Sequence, residues 1–522
     1  MLIDLKTYDG TADVNADVCI VGAGAAGITL ALELDGTPST VCVLESGGLE
    51  YDFATQSLAA GKNVGVPYYD LIAARLRFLG GTTNHWAGLC RPLDALDFER
   101  RDAVANSGWP ITRADLDGYY VRAHDYCELG DFNYDPLFWA TPDAPLLPLD
   151  GGPFRTAIKL QNPVRFGRVY RDRLQASRNV QLFLSANATN VEATGNGAAV
   201  SGVHARTLSG KEIHVSAKRF VIAAGAVENA RILLSSNDVR PQGIGNDHDL
   251  VGRYFMEHLM VPNAEIQFAS PRTNLALYAG AKRDGFDVVG YLTLASEVLR
   301  REELHNICAS VKIGPLSQNM DKSEDGIASA FAILNGIKEG RVPHTLDKHV
   351  GNLLSDLNRI VIFSYERAFE RASDVAAVTL VVEQAPNPSS RVKLADDVDA
   401  LGMRRAALDW QLGDGERRTV KRFSELLGLE MGRTGLGRVR LLEPGENGWW
   451  AGQQGAWHHM GTTRMHSDPR QGVVNADCRV HDIGNLYIAG SSVFTTGGFT
   501  NPTLTIVALA VRLADHLKGL SS

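Results

Sequence analysis

The sequence lacks the cysteine patterns that mark disulfide scaffolds and zinc ribbons. Its 522 residues contain 6 cysteines, and none of them forms a CxxC pair. A chain of this length buries enough apolar surface to fold without a disulfide framework. We therefore expect all the cysteines to be reduced thiols, and we expect two closely joined domains rather than a single core.

Membrane-spanning runs and a basic charge excess are also missing. No apolar run reaches the roughly 20 residues that cross a bilayer, and the N-terminal stretch MLIDLKTYDG lacks the basic and apolar regions of a secretion signal. The net charge is −8, from 52 Lys and Arg against 60 Asp and Glu, which disfavours a polyanion partner. These absences predict a cytoplasmic enzyme with no membrane and no nucleic-acid partner, and they leave the oligomeric state open.

The N-terminal region contains a predicted βαβ unit with a glycine-rich turn. An apolar, β-branched run at 17–21 predicts a buried strand, and a second predicted strand ends in Glu45. In the turn GAGAAG, Gly22 allows a sharp bend, Gly24 lets the backbone approach a pyrophosphate, and Gly27 lets the helix pack closely. Glu45 can accept hydrogen bonds from ribose hydroxyls. The unit predicts a dinucleotide site, and FAD and NAD both remain open at this step.

Five further blocks resemble the glucose-methanol-choline oxidoreductases. They are LGGTTNHWAG at 79–88, GAVENARILL from Gly225, VGRYFMEH from Val251, HHMGTTRM from His458 and GFTNPTLT from Gly498, and they occur in family order. The His-Trp pair and the Asn-Pro-Thr-Leu-Thr ending are most similar to the branch of pyranose 2-oxidase and the sugar or C-glycoside 3-oxidases. The resemblance implies FAD as the cofactor.

The resemblance also implies a fold and its division. It is an α/β fold with a discontinuous Rossmann-like FAD-binding domain and an α+β substrate-binding domain that contains an antiparallel sheet. The implied segments of the FAD-binding domain are 1–104, 180–255 and 455–522, and those of the substrate domain are 105–179 and 256–454. Within 180–236, alternating strands with turn signals predict a hairpin inserted before another strand of the sheet.

Cofactor contacts follow from the dinucleotide turn together with the family blocks. The predicted FAD-binding residues are Gly22, Gly24, Gly27, Glu45, Gly80, Gly81, Asn84, His85, Gly225, Gly490, Ser491, Pro502 and Thr503. The histidine that matches His85 is bonded covalently to flavin in pyranose 2-oxidase and choline oxidase, whereas other relatives bind FAD without a bond, so both alternatives stay open. Ala87 stands where pyranose 2-oxidase has a threonine near flavin N5, and alanine supplies no hydroxyl. We interpret Trp86 as core packing.

The catalytic residues are predicted at the C-terminal end. Alcohol oxidation needs a group that takes the hydroxyl proton while hydride leaves carbon. The family's base position, three residues before Gly461, is His458, and the partner position is Asn501, which cannot accept a proton at neutral pH. His459 is expected to support rather than catalyse. The spacing of these histidines and His466 is not that of a zinc site, and we expect no metal.

The resemblance implies a specific reaction. We expect FAD-dependent oxidation of a secondary hydroxyl, at C2 or C3 of a pyranose or glycoside, with O2 as electron acceptor and H2O2 as product. A dehydrogenase that uses a quinone or a redox protein is the main alternative. A catalytically silent flavoprotein and a nicotinamide-dependent reductase are further ones. The sequence does not name the sugar.

Overall fold

A computed structural model describes residues 1–149, 151–316 and 374–520. Its strands are β1 Leu2–Asp4, β2 Asp13–Val21, β3 Val41–Leu44, β4 Gly61–Asn63, β5 Leu89–Cys90, β6 Phe154–Gln161, β7 Val180–Leu184, β8 Asn187–Ala193, β9 Val200–Arg206, β10 Glu212–Ile222, β11 Leu259–Phe268, β12 Ala281–Arg283, β13 Phe286–Leu294, β14 Ile307–Ile313, β15 Val375–Val382, β16 Arg391–Val398, β17 Arg404–Asp409, β18 Gly437–Leu441, β19 Gln454–Gly455 and β20 Leu486–Ile488.

The helices lie between and around these strands. They are α1 Ala25–Leu34, α2 Phe53–Gln56, α3 Ala95–Phe98, α4 Ala114–Tyr126, α5 Pro136–Trp139, α6 Phe166–Val169, α7 Arg171–Ala176, α8 Ala226–Ser235, α9 Ala276–Ala279, α10 Ser296–Arg301, α11 Asp414–Arg433 and α12 Thr503–Gly519. Short 3₁₀ turns lie at Ser57–Ala59, Gly81–Asn84 and Ser491–Val493.

The first sheet is mainly parallel and is built from distant parts of the chain. Its strand order is β1-β7-β3-β2-β10-β9-β8, and β20 pairs with β10. The pairs from β1 to β10, and the β10–β20 pair, are parallel, whereas β8, β9 and β10 are antiparallel. All four residues of β3 are buried, as expected for a strand covered on both faces. The sheet confirms the predicted βαβ unit and the hairpin within 180–236.

The second large sheet is antiparallel. Its order is β18-β11-β15-β14-β13-β6-β5, with β12 on β13 and β19 on β11. A third, small sheet has the order β16-β17-β4. The two large sheets confirm the predicted fold class. The domain boundaries stay a prediction, and residues 317–373 of the segment 256–454 lie outside the described residues.

Two expectations from composition can be checked directly. The 6 cysteines are all buried free thiols, which confirms the prediction of reduced cysteines. Among the residues that the structure describes, no helix has both the length and the apolar character needed to cross a bilayer.

Candidate active site

A cavity of about 730 Å³ connects the N-terminal glycine turn with the C-terminal histidines. The predicted residues that line it are Gly22, Gly24, Glu45, Gly81, His85, Gly225, His458, Gly490, Ser491, Asn501, Pro502 and Thr503. Gly27, Gly80 and Asn84 are not among the lining residues. Folding therefore brings both ends of the chain to one space, as the sequence predicted, and leaves three predicted contacts behind its wall.

The glycine turn between β2 and α1 is shaped to receive a ligand. Gly22 has φ +105°, and a Cβ on it would lie 2.6 Å from the Ala223 carbonyl oxygen, so only glycine fits. A Cβ on Gly24 would meet no protein atom within 4 Å, although Gly24 lines the cavity. No described side chain caps the first amides of α1. These free amides and the open space fit a pyrophosphate group.

The residues behind the turn hold its shape. A Cβ on Gly27 would lie 1.9 Å from the Gly22 carbonyl oxygen, so this glycine is needed for helix packing. The Gly80 amide donates to the Ala23 carbonyl at 2.8 Å. Asn84 Nδ2 donates to two carbonyls of its own turn at 2.9 Å. These three residues position the cavity wall rather than line it.

Glu45 joins the end of β3 to the glycine turn. Its Oε2 accepts the Ala23 amide and its Oε1 accepts the Gly47 amide, both at 2.9 Å. The side chain is buried and also lines the cavity. A carboxylate that is held in this way is pre-oriented for hydroxyl groups of a ligand.

The His85 imidazole and the Trp86 indole both line the cavity. Burial lowers the pKa of His85 below its usual value, and Arg165 lowers it further, so this imidazole is neutral at pH 7. Trp86 Nε1 donates to the Val164 carbonyl at 2.8 Å, and the indole packs edge-on against Phe166. The interpretation of Trp86 as core packing agrees with these contacts, whereas the covalent bond to His85 stays a prediction.

The start of α12 forms the opposite wall of the cavity. The helix begins at Thr503, no described side chain caps its first amides, and its first turn contains no acid. Gly490 has φ +110°, and Ser491 Oγ donates to the His459 carbonyl at 2.6 Å. The uncapped helix start supplies partial positive charge at this wall.

A hydrogen-bond chain fixes the tautomer of His458. His258 Nε2 lies 2.8 Å from the Gly498 carbonyl oxygen, which can only accept, so this nitrogen carries the proton. His258 Nδ1, at 2.7 Å from His458 Nδ1, is then the acceptor, because each neutral imidazole has one N–H. His458 therefore donates through Nδ1 and keeps a lone pair on Nε2. That lone pair is the acceptor the predicted base requires.

Lys159 fixes the orientation of the Asn501 amide. The ammonium donates to Asn501 Oδ1 at 3.0 Å and to the Phe499 carbonyl at 3.2 Å. The amide nitrogen of Asn501 consequently faces His458 Nε2, at 3.1 Å. Asn501 Nδ2 thus donates to the lone pair on His458 Nε2.

Burial keeps the imidazoles of this site neutral. It lowers the pKa of His458 well below 6.5, with His258 and Lys159 adding to the effect. Burial also lowers the pKa of His258 to about 4 and that of His459 to about 3. A neutral His458 is available as a proton acceptor throughout the physiological range.

Glu257 anchors the two backbone segments that carry these histidines. Its Oε1 accepts the amides of His258 at 2.9 Å and of His458 at 2.7 Å, and Tyr68 donates to its Oε2. Burial raises the pKa of Glu257 to about 7, and the donated hydrogen bonds oppose that rise. The Tyr68 hydroxyl also lies 2.9 Å from His459 Nε2, which agrees with a supporting role for His459.

Sequence reasoning gave no role to Lys159, Glu257 or His258. His258 ends one of the family blocks. Lys159 interrupts the apolar run of β6 and is only 2% exposed. A charged residue inside an apolar run was the signal that could have identified Lys159. His466 does not line the cavity. Its Nδ1 accepts the Asp468 amide instead.

Comparisons with known proteins agree with this geometry. A family model described as GMC oxidoreductase matches residues 386–510, and one described as FAD dependent oxidoreductase matches residues 17–248. The chain is similar to the fructose dehydrogenase large subunit of Gluconobacter japonicus, at 24% identity over 97% of this chain and 98% of that protein. It is also similar to a C-glycoside 3-oxidase of Microbacterium trichothecenolyticum, at 36% identity over 25% of this chain and 24% of that protein.

A solved structure shares the fold. A crystal structure of formate oxidase superposes with a TM-score of 0.54 at 16% identity, covering 98% of this chain and 99% of that one. The matched segment 17–248 contains the glycine turn with Glu45, and the matched segment 386–510 contains His458 and Asn501. The chain belongs to the glucose-methanol-choline family of FAD-dependent oxidoreductases, which act on CH–OH groups.

Proposed function

We propose that this enzyme oxidises a secondary hydroxyl of a pyranose sugar or glycoside, at C2 or C3, to the ketone. The observation that carries the proposal is the pairing of a lone pair on His458 Nε2 with an N–H donor on Asn501, inside the cavity that begins at the glycine turn. The two groups are hydrogen-bonded to each other here, and a substrate hydroxyl that takes the place of this bond can donate to Nε2 and accept from Nδ2.

In the proposed reaction His458 Nε2 accepts the hydroxyl proton while Asn501 Nδ2 donates to the same oxygen. FAD, when bound, accepts the hydride and with it both electrons. The oxygen keeps the electron pair of the broken O–H bond and forms the carbonyl. Lys159 holds the amide of Asn501 in its donor orientation, and its positive charge favours the oxygen as negative charge develops there.

FAD fits the residues of this chain at both ends of the cavity. The open space over Gly24 and the uncapped start of α1 suit the pyrophosphate. The uncapped start of α12 suits a group that becomes negative on reduction. The predicted contacts of Gly81, Gly225, Gly490, Ser491, Pro502 and Thr503 are part of this proposal.

A sugar is the substrate class favoured by the cavity and by the relatives. Trp457 precedes the base, lines the cavity and is 39% exposed. One indole face stacks on Tyr69, with ring centroids 4.4 Å apart. A rigid aromatic surface beside the base suits the apolar face of a sugar ring. Two of the curated relatives, a fructose dehydrogenase and a C-glycoside 3-oxidase, have names that agree with this class.

Anaerobic flavin bleaching tests the substrate class. The holoenzyme is mixed without oxygen with monosaccharides, O- and C-glycosides, choline and benzyl alcohols, and the flavin absorbance is followed. Bleaching by a sugar or glycoside, with a keto-sugar product carrying the ketone at C2 or C3, supports the proposal. Bleaching by choline or benzyl alcohols and by no sugar refutes it.

Oxygen is the proposed electron acceptor, and a quinone or redox protein is the alternative. The name of the C-glycoside 3-oxidase relative supports oxygen. The fructose dehydrogenase relative and the missing hydroxyl at Ala87 favour the alternative. Turnover in air, with peroxide measured against substrate consumed, separates the two. One H2O2 per substrate supports the oxidase, whereas turnover that requires an added dye or quinone supports the dehydrogenase.

The bond between His85 and FAD is tested by acid precipitation of the holoenzyme. Yellow colour that stays with the pellet supports the covalent tether. Colour that passes into the supernatant shows that His85 only lines the cavity beside the cofactor.

A further inference from the structure

Three adjacent strands of the first sheet bring a carboxylate and two imidazoles together, outside the catalytic cavity. Glu192 lies on β8, His204 on β9 and His214 on β10. His204 is the cross-strand partner of His214, and Gly202 is the cross-strand partner of Glu192. Because side chains two residues apart share a face, all these positions lie on the same side of the sheet.

The spacing of the three side chains suits one metal ion. Glu192 Oε2 lies 3.3 Å from His214 Nε2 and 3.6 Å from His204 Nε2, and the possible ligand atoms all lie within 4.8 Å of one another. A tetrahedral ion with bonds of about 2.0–2.1 Å separates its ligands by roughly 3.4 Å. Small side-chain rotations therefore close the site around an ion.

The missing side chain of Gly202 gives the His214 imidazole room to approach Glu192. A Cβ on Gly202 would lie 2.1 Å from His214 Nε2, so the imidazole occupies the space where a side chain of β9 would stand. Only the missing side chain lets His214 reach across β9 to Glu192. The glycine is thus part of the arrangement.

The carboxylate of Asp13 lies near the His214 imidazole, on the side away from Glu192. Asp13 on β2 is the cross-strand partner of His214, and its Oδ1 lies 3.8 Å from His214 Nδ1, the nitrogen that does not face Glu192. A carboxylate that is hydrogen-bonded to a ligating histidine orients it, and at 3.8 Å Asp13 must move closer to form that bond. The side chains of Glu192, His204 and His214 are 44%, 48% and 27% exposed, so an ion can enter from solvent and keep a water as its fourth ligand.

We propose that Glu192, His204 and His214 bind one divalent transition-metal ion, of which Zn²⁺ best matches the ligands and the three-plus-water geometry. The ion joins the β8–β9 hairpin to β10. That strand continues into Ala223 and Gly225, which line the FAD cavity. None of the three ligands lines that cavity, so we assign the ion a structural role. It stiffens a strand that shapes the cofactor cavity.

Zinc titration of the FAD-loaded enzyme tests the site. After chelator treatment and dialysis, ZnCl2 is added in a calorimeter at pH 7.5, and thermal unfolding is followed with and without the metal. We expect one ion per chain at micromolar Kd and a higher Tm with zinc than with EDTA. His204→Ala, His214→Ala and Glu192→Gln should each weaken binding at least tenfold. His248→Ala, at an exposed histidine outside the cluster, should bind like the parent.

A further variant, Gly202→Ala, tests the geometry without removing a ligand. The added methyl group displaces His214 and should weaken zinc binding, while Tm in EDTA shows whether the fold is kept. Absence of stoichiometric binding below about 1 mM zinc overturns the proposal. Zinc binding that is unchanged in both His204→Ala and His214→Ala also overturns the proposal, because the ion would then be held elsewhere.

Discussion

Replacing His258 with phenylalanine tests the tautomer chain that prepares the base. His258 is fully buried and its Nδ1 is the acceptor for His458 Nδ1–H. Phenylalanine fills similar space but accepts no hydrogen bond. The reactive tautomer of His458 then leaves a buried donor without a partner, which costs about 1–3 kcal/mol. Since about 1.4 kcal/mol is tenfold in rate, flavin reduction should slow by roughly 5- to 150-fold.

The matched variant is His258→Asn, because the amide oxygen of asparagine can stand where Nδ1 stood and accept the same proton. We expect His258→Asn to recover most of the rate lost in His258→Phe. The assay is anaerobic stopped-flow reduction of the flavin by the best sugar of the substrate panel, with bound FAD and Tm checked for both variants. If His258→Phe keeps its yellow FAD and reduces at the parent rate, the tautomer argument fails.

Burial of His258 makes the free energy of unfolding depend on pH. Burial lowers the pKa of His258 to about 4 from its usual 6.5, so between these values the unfolded chain binds a proton that the folded chain does not. The parent is therefore fully stabilised above pH 6.5 and loses up to about 3 kcal/mol from this group as the pH falls to 4. His258→Asn has no such loss. Tm values measured from pH 7.5 to 4.5 should decline more steeply for the parent, and parallel curves would contradict the assignment.

Three further changes probe the base, the amide and the cofactor turn. His458→Ala should keep yellow FAD and the fold but lose most flavin reduction by substrate, and parent-rate reduction would remove His458 from the mechanism. Lys159→Met frees the Asn501 amide to rotate and should slow flavin reduction about tenfold. Lys159 lowers the pKa of His458, so its loss should also move the acidic limb of the kcat/KM profile to higher pH. An acidic limb at the parent's pH would contradict this. Gly24→Val places a side chain in the open cavity, so the apoprotein should keep its Tm and the variant should lose FAD. The ratio of flavin to protein absorbance measures the bound FAD. Gly428→Ala, also in open space, is the control and should bind FAD normally.

The N-terminal turn was predictable, and His458 and Asn501 could be proposed as the catalytic pair, because each depends on local sequence. A glycine turn between a buried strand and a helix constrains its own backbone, and the base position lies in a short family block. The predicted FAD contacts of Gly27, Gly80 and Asn84 stay predictions, although these residues do not line the cavity. A motif shows that a residue is needed near the turn, but not whether it lines the cavity or supports it.

The groups that control His458 could not be read from local pattern. Glu257 and His258 approach from the start of β11, and Lys159 from β6, so they meet the base only after the second sheet has packed against the first. The zinc site has the same origin, since its ligands lie on three strands at spacings that match no metal-binding motif. Such arrangements depend on strand register, which the sequence does not display.

The placement of β20 has a consequence for biosynthesis. This short strand pairs with Phe220–Ile222, at the end of β10 that the hairpin leaves uncovered. Its Leu486 pairs with Phe220, so β20 is made 266 residues later (486 − 220). Until the ribosome has passed β20, that edge of the first sheet stays open and can pair with other chains. We therefore expect nascent or C-terminally shortened chains to depend on chaperones and to aggregate readily, because the segment that carries the catalytic groups also closes the sheet.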